Sequence, residues 1–131
     1  FMEAKNFSKE LGLNVKFTGK LPKQEWLELS KDYNVFINTT NIDNTPVSVI
    51  EAMALGLPVV STNVGGMPYL IENGRNGILV EPNETDEMVQ AIISLFDDIS
   101  MAETLVLNAR MSSELYDWQS VRLKWNEILR N

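Results

Sequence analysis

The chain has no cysteine and no histidine. A disulfide of its own, a zinc site built on Cys and His ligands, and an imidazole general base are all excluded for it. Cationic side chains are in deficit as well: 11 Lys and Arg stand against 18 Asp and Glu, giving a net charge of −7, and no cationic run occurs. Nucleic-acid backbones and anionic lipid surfaces are bound by clustered Lys and Arg, so neither is an expected partner. No apolar stretch approaches the roughly 20 residues of a membrane span, and the start Phe1-Met2-Glu3-Ala4-Lys5 lacks a signal-peptide pattern. Internal repeats and low-complexity linkers are missing too.

What is present is ordinary for a protein that buries a core: 131 residues, 44% hydrophobic and 22% charged. That length fits one domain.

Taken in order, Phe1, Ala4, Phe7 and Leu11 recur with Lys and Glu between them, the pattern of an amphipathic helix closed by Gly12. Asn14 to Thr18 alternates apolar and polar residues up to Gly19 and reads as a short strand. Pro22 opens a surface helix whose Trp26 is expected in the core rather than against a ligand. Tyr33 to Thr39 reads as the next strand, and Pro58 to Ser61 as a β-branched strand buried on both faces. Pro68 begins a short helix through Glu72, and Ile78 to Val80 is the last strand. Asn83 is expected to cap the next helix with Asp86 answering it. In that helix Met88, Ile92, Leu95 and Ile99 form an apolar stripe flanked by Val89 and Phe96, and helices follow from Met101 to Leu115 and from Ser120 to Leu129. Strands alternating with helices predict an α/β fold with a parallel, Rossmann-like sheet and flanking helices. Ligands of such sheets sit beyond the carboxyl ends of the strands, so the loops after Thr18, Thr39 and Thr62 are expected to line a crevice.

The organising stretch runs from Asp43 to Thr62. Thr45 suits an N-cap, Pro46 the first helical position, and Gly56 with Pro58 a stop, which predicts a helix over Pro46 to Leu55. Apolar residues nearly encircle it, as in a helix buried by its neighbours; only Ser48 and Glu51 interrupt them, on one face. A buried carboxylate needs donors. A salt bridge or a neighbouring loop would supply them, and so would two hydroxyls of a sugar or ribose, with phosphates of the same ligand at the helix N-terminus.

Three linked motifs carry a resemblance. Asp43-x7-Glu51 runs into Ala52-Met53-Ala54-x-Gly56-x-Pro58-Val59-Val60; next comes Asn63-Val64-Gly65-Gly66-Met67-Pro68, and then Asn76-Gly77-Ile78-Leu79-Val80-Glu81-Pro82. Together they resemble the C-terminal, donor-binding domain of retaining GT-B glycosyltransferases, in the large glycosyl transferases group 1 family. The resemblance implies a single nucleotide-sugar-binding domain over residues 1–131, N-terminally truncated, forming part of the C-terminal half of a GT-B fold. It implies transfer of a sugar from a UDP-, GDP- or ADP-sugar to an acceptor hydroxyl with retention of configuration, with no cofactor and no essential metal. A glycan, lipid-linked or small-molecule acceptor would be held by the missing N-terminal domain, and the isolated chain would be inactive. A cytoplasmic location is expected, any attachment to the inner face of the membrane being made through that missing domain.

Carried over by position, the resemblance gives Glu51 the ribose hydroxyls and gives Asp43 the transferred sugar as the catalytic acid. The family usually has Glu at the latter place, so the carboxylate here is one methylene shorter; the same Asp could instead cap a turn. The backbone N–H groups of Asn44, Thr45 and Val47 match those that hold phosphates and sugar. Gly65 and Gly66 would let the backbone approach the ligand, or serve a tight turn. Leu21 matches a position packed on the base, which a core Leu would also fill. Tyr69 stands where Glu is common, and Asp117 where Ser is common. An Arg and a Lys that neutralise the leaving diphosphate belong to an earlier part of the domain, and Lys20 and Lys23 fit the base side or solvent better. If that earlier part also holds the first two strands of the domain, which the family order places centrally, the sheet is expected to hold four parallel strands or to be altered or completed by a partner. A binding module without turnover and a nucleotide-sugar epimerase of the same architecture are the competing readings.

Overall fold

Three short, β-branched or apolar strands form one parallel sheet in the order β1 (Phe36–Asn38), β2 (Val59–Thr62), β3 (Ile78–Val80). The computed structural model describes residues 2–130. Phe36 lies opposite Val59 and Asn38 opposite Ser61, while Val60 faces Ile78 and Thr62 faces Val80. A parallel pair cannot be closed by a hairpin. Helix α3 (Val47–Ala54) supplies the crossover from β1 to β2, and the short α4 (Met67–Leu70) lies between β2 and β3. Successive side chains of a strand point to opposite faces. All four residues of β2 are buried, so both of its faces are covered.

The chain divides into two compact units, one ending at Asp32 and one beginning at Tyr33. The first holds α1 (Met2–Glu10) and α2 (Lys23–Ser30), joined by an irregular segment. Within it the Lys5 ammonium lies 5.7 Å from the centre of the Phe17 ring, and Trp26 is half-buried. Asn14 to Thr18, expected as a strand, is not one: none of the described residues forms a ladder with it, so the sheet has three strands rather than four. Alternation alone does not make a strand, because its backbone groups need a partner.

The second unit contains the sheet, α3, α4, α5 (Thr85–Asp97), α6 (Ile99–Ser113), a 3-10 turn over Glu114–Tyr116, and α7 (Trp118–Leu129). Val60, Val80, Leu95 and Leu105 form a buried cluster, with Met88, Ile92 and Met101 packed against it. The stripe on α5 is therefore real, but it stops at Leu95. Asp98 leaves helical geometry and accepts a hydrogen bond from the Met101 amide at 2.8 Å, so Ile99 opens a new helix and is 68% exposed. The cap expected of Asn83 does not form either. Glu84 holds the N-cap position without a side-chain bond, and Asn83 takes the left-handed conformation (φ 70°) that Asn tolerates better than most residues.

Candidate functional site

At the carboxyl end of β1 the chain leaves the sheet through Thr39 to Pro46 and enters α3, and this loop is fastened along its length. Asn38, buried at the end of β1, donates from Nδ2 to the Ser61 hydroxyl at 3.0 Å and lies 4.0 Å from the Met67 sulfur. The Thr62 hydroxyl donates to the Thr40 carbonyl. Further along, the Gly66 amide donates to the Asp43 carbonyl at 3.2 Å. The loops after β1 and β2 thus meet beyond the carboxyl ends of their strands, as expected for Thr39 and Thr62. Thr18 lies in the first unit.

The glycine pair is in close contact with this loop. A Cβ placed on Gly65, whose φ is +54°, would lie 1.7 Å from the Asp43 carbonyl oxygen. One on Gly66 would lie 1.5 Å from the Asn44 carbonyl oxygen and 3.2 Å from the Thr45 hydroxyl. Both are impossible contacts, so residues 43–45 and 65–66 pack backbone on backbone.

Helix α3 begins one residue later than expected. Pro46, not Thr45, is the N-cap, with φ −68° and ψ 118°, and no side chain caps the helix. Pro46 can serve there because its carbonyl still accepts, from Val49 at 3.1 Å, and the N–H it lacks is not needed at a cap. Thr45 is instead exposed, with its hydroxyl turned toward Gly66. Among the described residues the amides of Asn44 and Thr45 donate to no carbonyl of the chain. The amide of Val47 opens the helix, where no preceding carbonyl is in register for it.

Burial of α3 is one-sided rather than all round. Val49, Ala52 and Met53 are fully buried, whereas Val47 is 66% exposed and Leu55, just beyond the helix, is 39% exposed. The helix packs mainly on β1, β2 and α6, and apolar residues on its remaining face stay exposed. Glu51 is half-buried, one turn into the helix, and Asp43 is half-buried in the loop. Tyr69, in α4, is 90% exposed. Leu21 belongs to the first unit, where it lines an open hollow of about 710 Å³ with Lys16, Thr18, Gln24 and Glu28.

A second hollow of about 250 Å³ opens at the carboxyl ends of all three strands, lined by Thr39, Asn41, Thr62, Glu81, Asn83 and Thr85. Asn63 on its β2 side donates to the Glu81 carboxylate at 2.9 Å. Sequence reasoning placed the loop after Thr62 at the crevice but gave no role to the side chains of Asn38, Ser61 and Thr62. Their signal was there: polar residues closing otherwise apolar strands. Among the described residues no three His, Cys, Asp or Glu side chains gather as a metal site requires.

The profile described as "Glycosyl transferases group 1" matches residues 2–98. The chain belongs to the glycosyl transferases group 1 family. Among this family member's relatives is the sulfoquinovosyl transferase of Arabidopsis thaliana, 31% identical over 116 residues, a match covering 86% of this chain and 23% of that protein. Among solved structures, the sucrose-phosphate synthase of Thermosynechococcus elongatus superposes with a TM-score of 0.87 at 26% identity, covering 98% of this chain and 33% of that one. Anabaena HepE in complex with UDP-glucose does so with a TM-score of 0.87 at 28% identity, covering 98% and 36%. The chain thus spans well under half the length of each protein. Both superpositions agree with an α/β, Rossmann-like sheet. The third motif of this family member has a structural task. Buried Asn76 accepts from the Glu72 amide at 2.8 Å and donates to the Ser112 hydroxyl at 3.0 Å, tying the turn before β3 to α6. No helix among the described residues is long and apolar enough to cross a membrane.

Proposed function

We propose that this chain is the donor-binding part of a retaining glycosyltransferase, which moves a sugar from a nucleotide sugar to an acceptor hydroxyl. The observation that carries this reading is the fastened loop Asp43–Pro46 at the N-terminal end of α3, with unspent amides at its tip and a half-buried acid one helical turn behind. Such amides, with the positive end of the helix dipole, suit a diphosphate. Glu51 accepts hydrogen bonds from two ribose hydroxyls, and Asp43 meets the transferred sugar. HepE, which covers nearly all of this chain, was solved with UDP-glucose and so supports a nucleotide-sugar donor.

The chemistry asked of these groups is mostly positioning. The bond from the anomeric carbon to the diphosphate breaks, and the diphosphate leaves with the electron pair. The acceptor oxygen bonds to the same face and gives up its proton to an oxygen of the departing diphosphate. Amides aimed at the diphosphate stabilise the charge that develops there, an effect fixed donors supply without reorganising.

The test is radiolabelled sugar transfer by the whole protein, with the anomeric configuration of the product read by NMR. Retention is expected. Glu51→Gln should weaken donor binding about 10- to 100-fold, the loss of about 1.5–3 kcal/mol expected when hydrogen bonds to a charged group go. Unchanged donor affinity in Glu51→Gln, or an inverted product, would overturn the reading. Tight nucleotide binding without transfer would reduce it to a binding module.

A further inference from the structure

The glycines of the second motif invite the idea that they give a ligand room. The space around them says otherwise. On both Gly65 and Gly66 the position a side chain would take is already filled by protein: the Asp43 carbonyl group in one case, the Asn44 carbonyl group in the other. What glycine permits here is the approach of one loop to another.

The glycine side of this contact is itself held in place. The Asn63 amide donates to the Val80 carbonyl at 2.7 Å, anchoring the segment to β3, and Met67 at the start of α4 is completely buried. The Met67 amide bonds the Val64 carbonyl at 3.0 Å and closes the turn on itself. Against this fixed seat the Asp43 carbonyl accepts the Gly66 amide, so the seat fixes where Asp43 and the amides that follow it point.

We propose that Gly65 and Gly66 are positioning residues: they form a side-chain-free seat that sets the location of Asp43 and of the Asn44 and Thr45 amides relative to the donor. This rests on the donor-binding reading of that loop. A methyl group on either glycine must push the loop outward, because the atoms it meets are backbone and cannot rotate away. The two glycines separate conformational from steric effects. Gly66 has φ −82°, which alanine adopts freely, so Gly66→Ala adds only the clash. Gly65 and Gly74 share positive φ (+54° and +76°), but nothing lies within 4 Å of a Cβ at Gly74. Gly74→Ala therefore reproduces the backbone strain of Gly65→Ala without its collision.

The experiment compares the whole wild-type protein with Gly66→Ala, Gly65→Ala and Gly74→Ala. Exchange of the amide at position 66 is measured without ligand, and affinity is measured for whichever of UDP, GDP and ADP the wild type binds best. Exchange of the amide at position 66, which bonds the Asp43 carbonyl, should accelerate at least tenfold in the first two variants, nucleotide affinity should fall at least tenfold, and KM for the donor should rise while the remaining protein stays folded. Gly74→Ala should stay within twofold on all three. A glycine that merely supports the fold would lower the melting temperature and leave KM unmoved. Equal exchange and equal affinity in wild type and Gly66→Ala overturn the inference while leaving donor binding intact. Faster exchange with no nucleotide bound by any of the proteins counts against donor binding and leaves the seat standing. Should the first two variants fail to fold, the wild type still decides: saturating nucleotide should slow exchange of the Gly66 amide at least tenfold, and no change would overturn the proposal.

Discussion

Helices α3 and α7 contrast sharply. The first is eight residues long, has no aromatic side chain, and buries Val49, Ala52 and Met53 completely. The second has 12 residues, including Trp118, Trp125, Ile128 and Leu129, and buries none of them. Apolar content does not separate the two; what each helix rests on does. Helix α3 lies against β1, β2 and α6, whereas α7 makes its main contacts with the 3-10 turn before it. An apolar residue gains stability only where a neighbour takes it out of water.

The contrast can be tested most severely at its two ends and sharpened through α6, the helix that shelters α3. The largest effect is expected from Met53→Ala, which should cost about 2–5 kcal/mol in denaturant unfolding because the cavity left under α3 cannot fully collapse. Next comes Asn76→Ala. Removing its bonds to the Glu72 amide and the Ser112 hydroxyl leaves buried partners unsatisfied, and about 1–3 kcal/mol should be lost in the same measurement. Asp98→Ala removes the side-chain cap of α6 and should lower the unfolding free energy by about 0.5–2 kcal/mol, most visibly as faster amide exchange at Met101. Smallest is Trp125→Ala, expected to shift the stability of residues 1–131 by less than about 0.5 kcal/mol despite deleting an indole. A loss there matching that of Met53→Ala would erase the distinction between the two helices.

Much of the fold is legible in the amino-acid pattern. The crossover helix, β2 and β3 follow from a run of apolar residues bounded by Pro46, Gly56 and Gly77, and they lie within a residue of where the pattern puts them. The departures have particular causes. Asn14 to Thr18 alternates like a strand but has no ladder partner. Thr45 has the side chain of an N-cap, yet Pro46 takes that position and the Thr45 hydroxyl turns toward Gly66. Asn83 is of a capping type, but it lies one residue ahead of the N-cap Glu84 in a left-handed conformation. The encircling apolar pattern of α3 implies burial on all sides, but Val47 stays 66% exposed while Val49, Ala52 and Met53 are fully buried.

The order of strands and helices, the family, and the residues gathered around the start of α3 are all written along the chain, because periodicity, turn residues and linked motifs are local properties. Folding in three dimensions was needed to lay two glycines, some twenty positions further on, against the Asp43 and Asn44 backbone, and to make Asn38, Ser61 and Thr62 fasten the same loop. Contacts of that kind join segments distant in sequence through backbone atoms every residue possesses, so no pattern of side chains announces them.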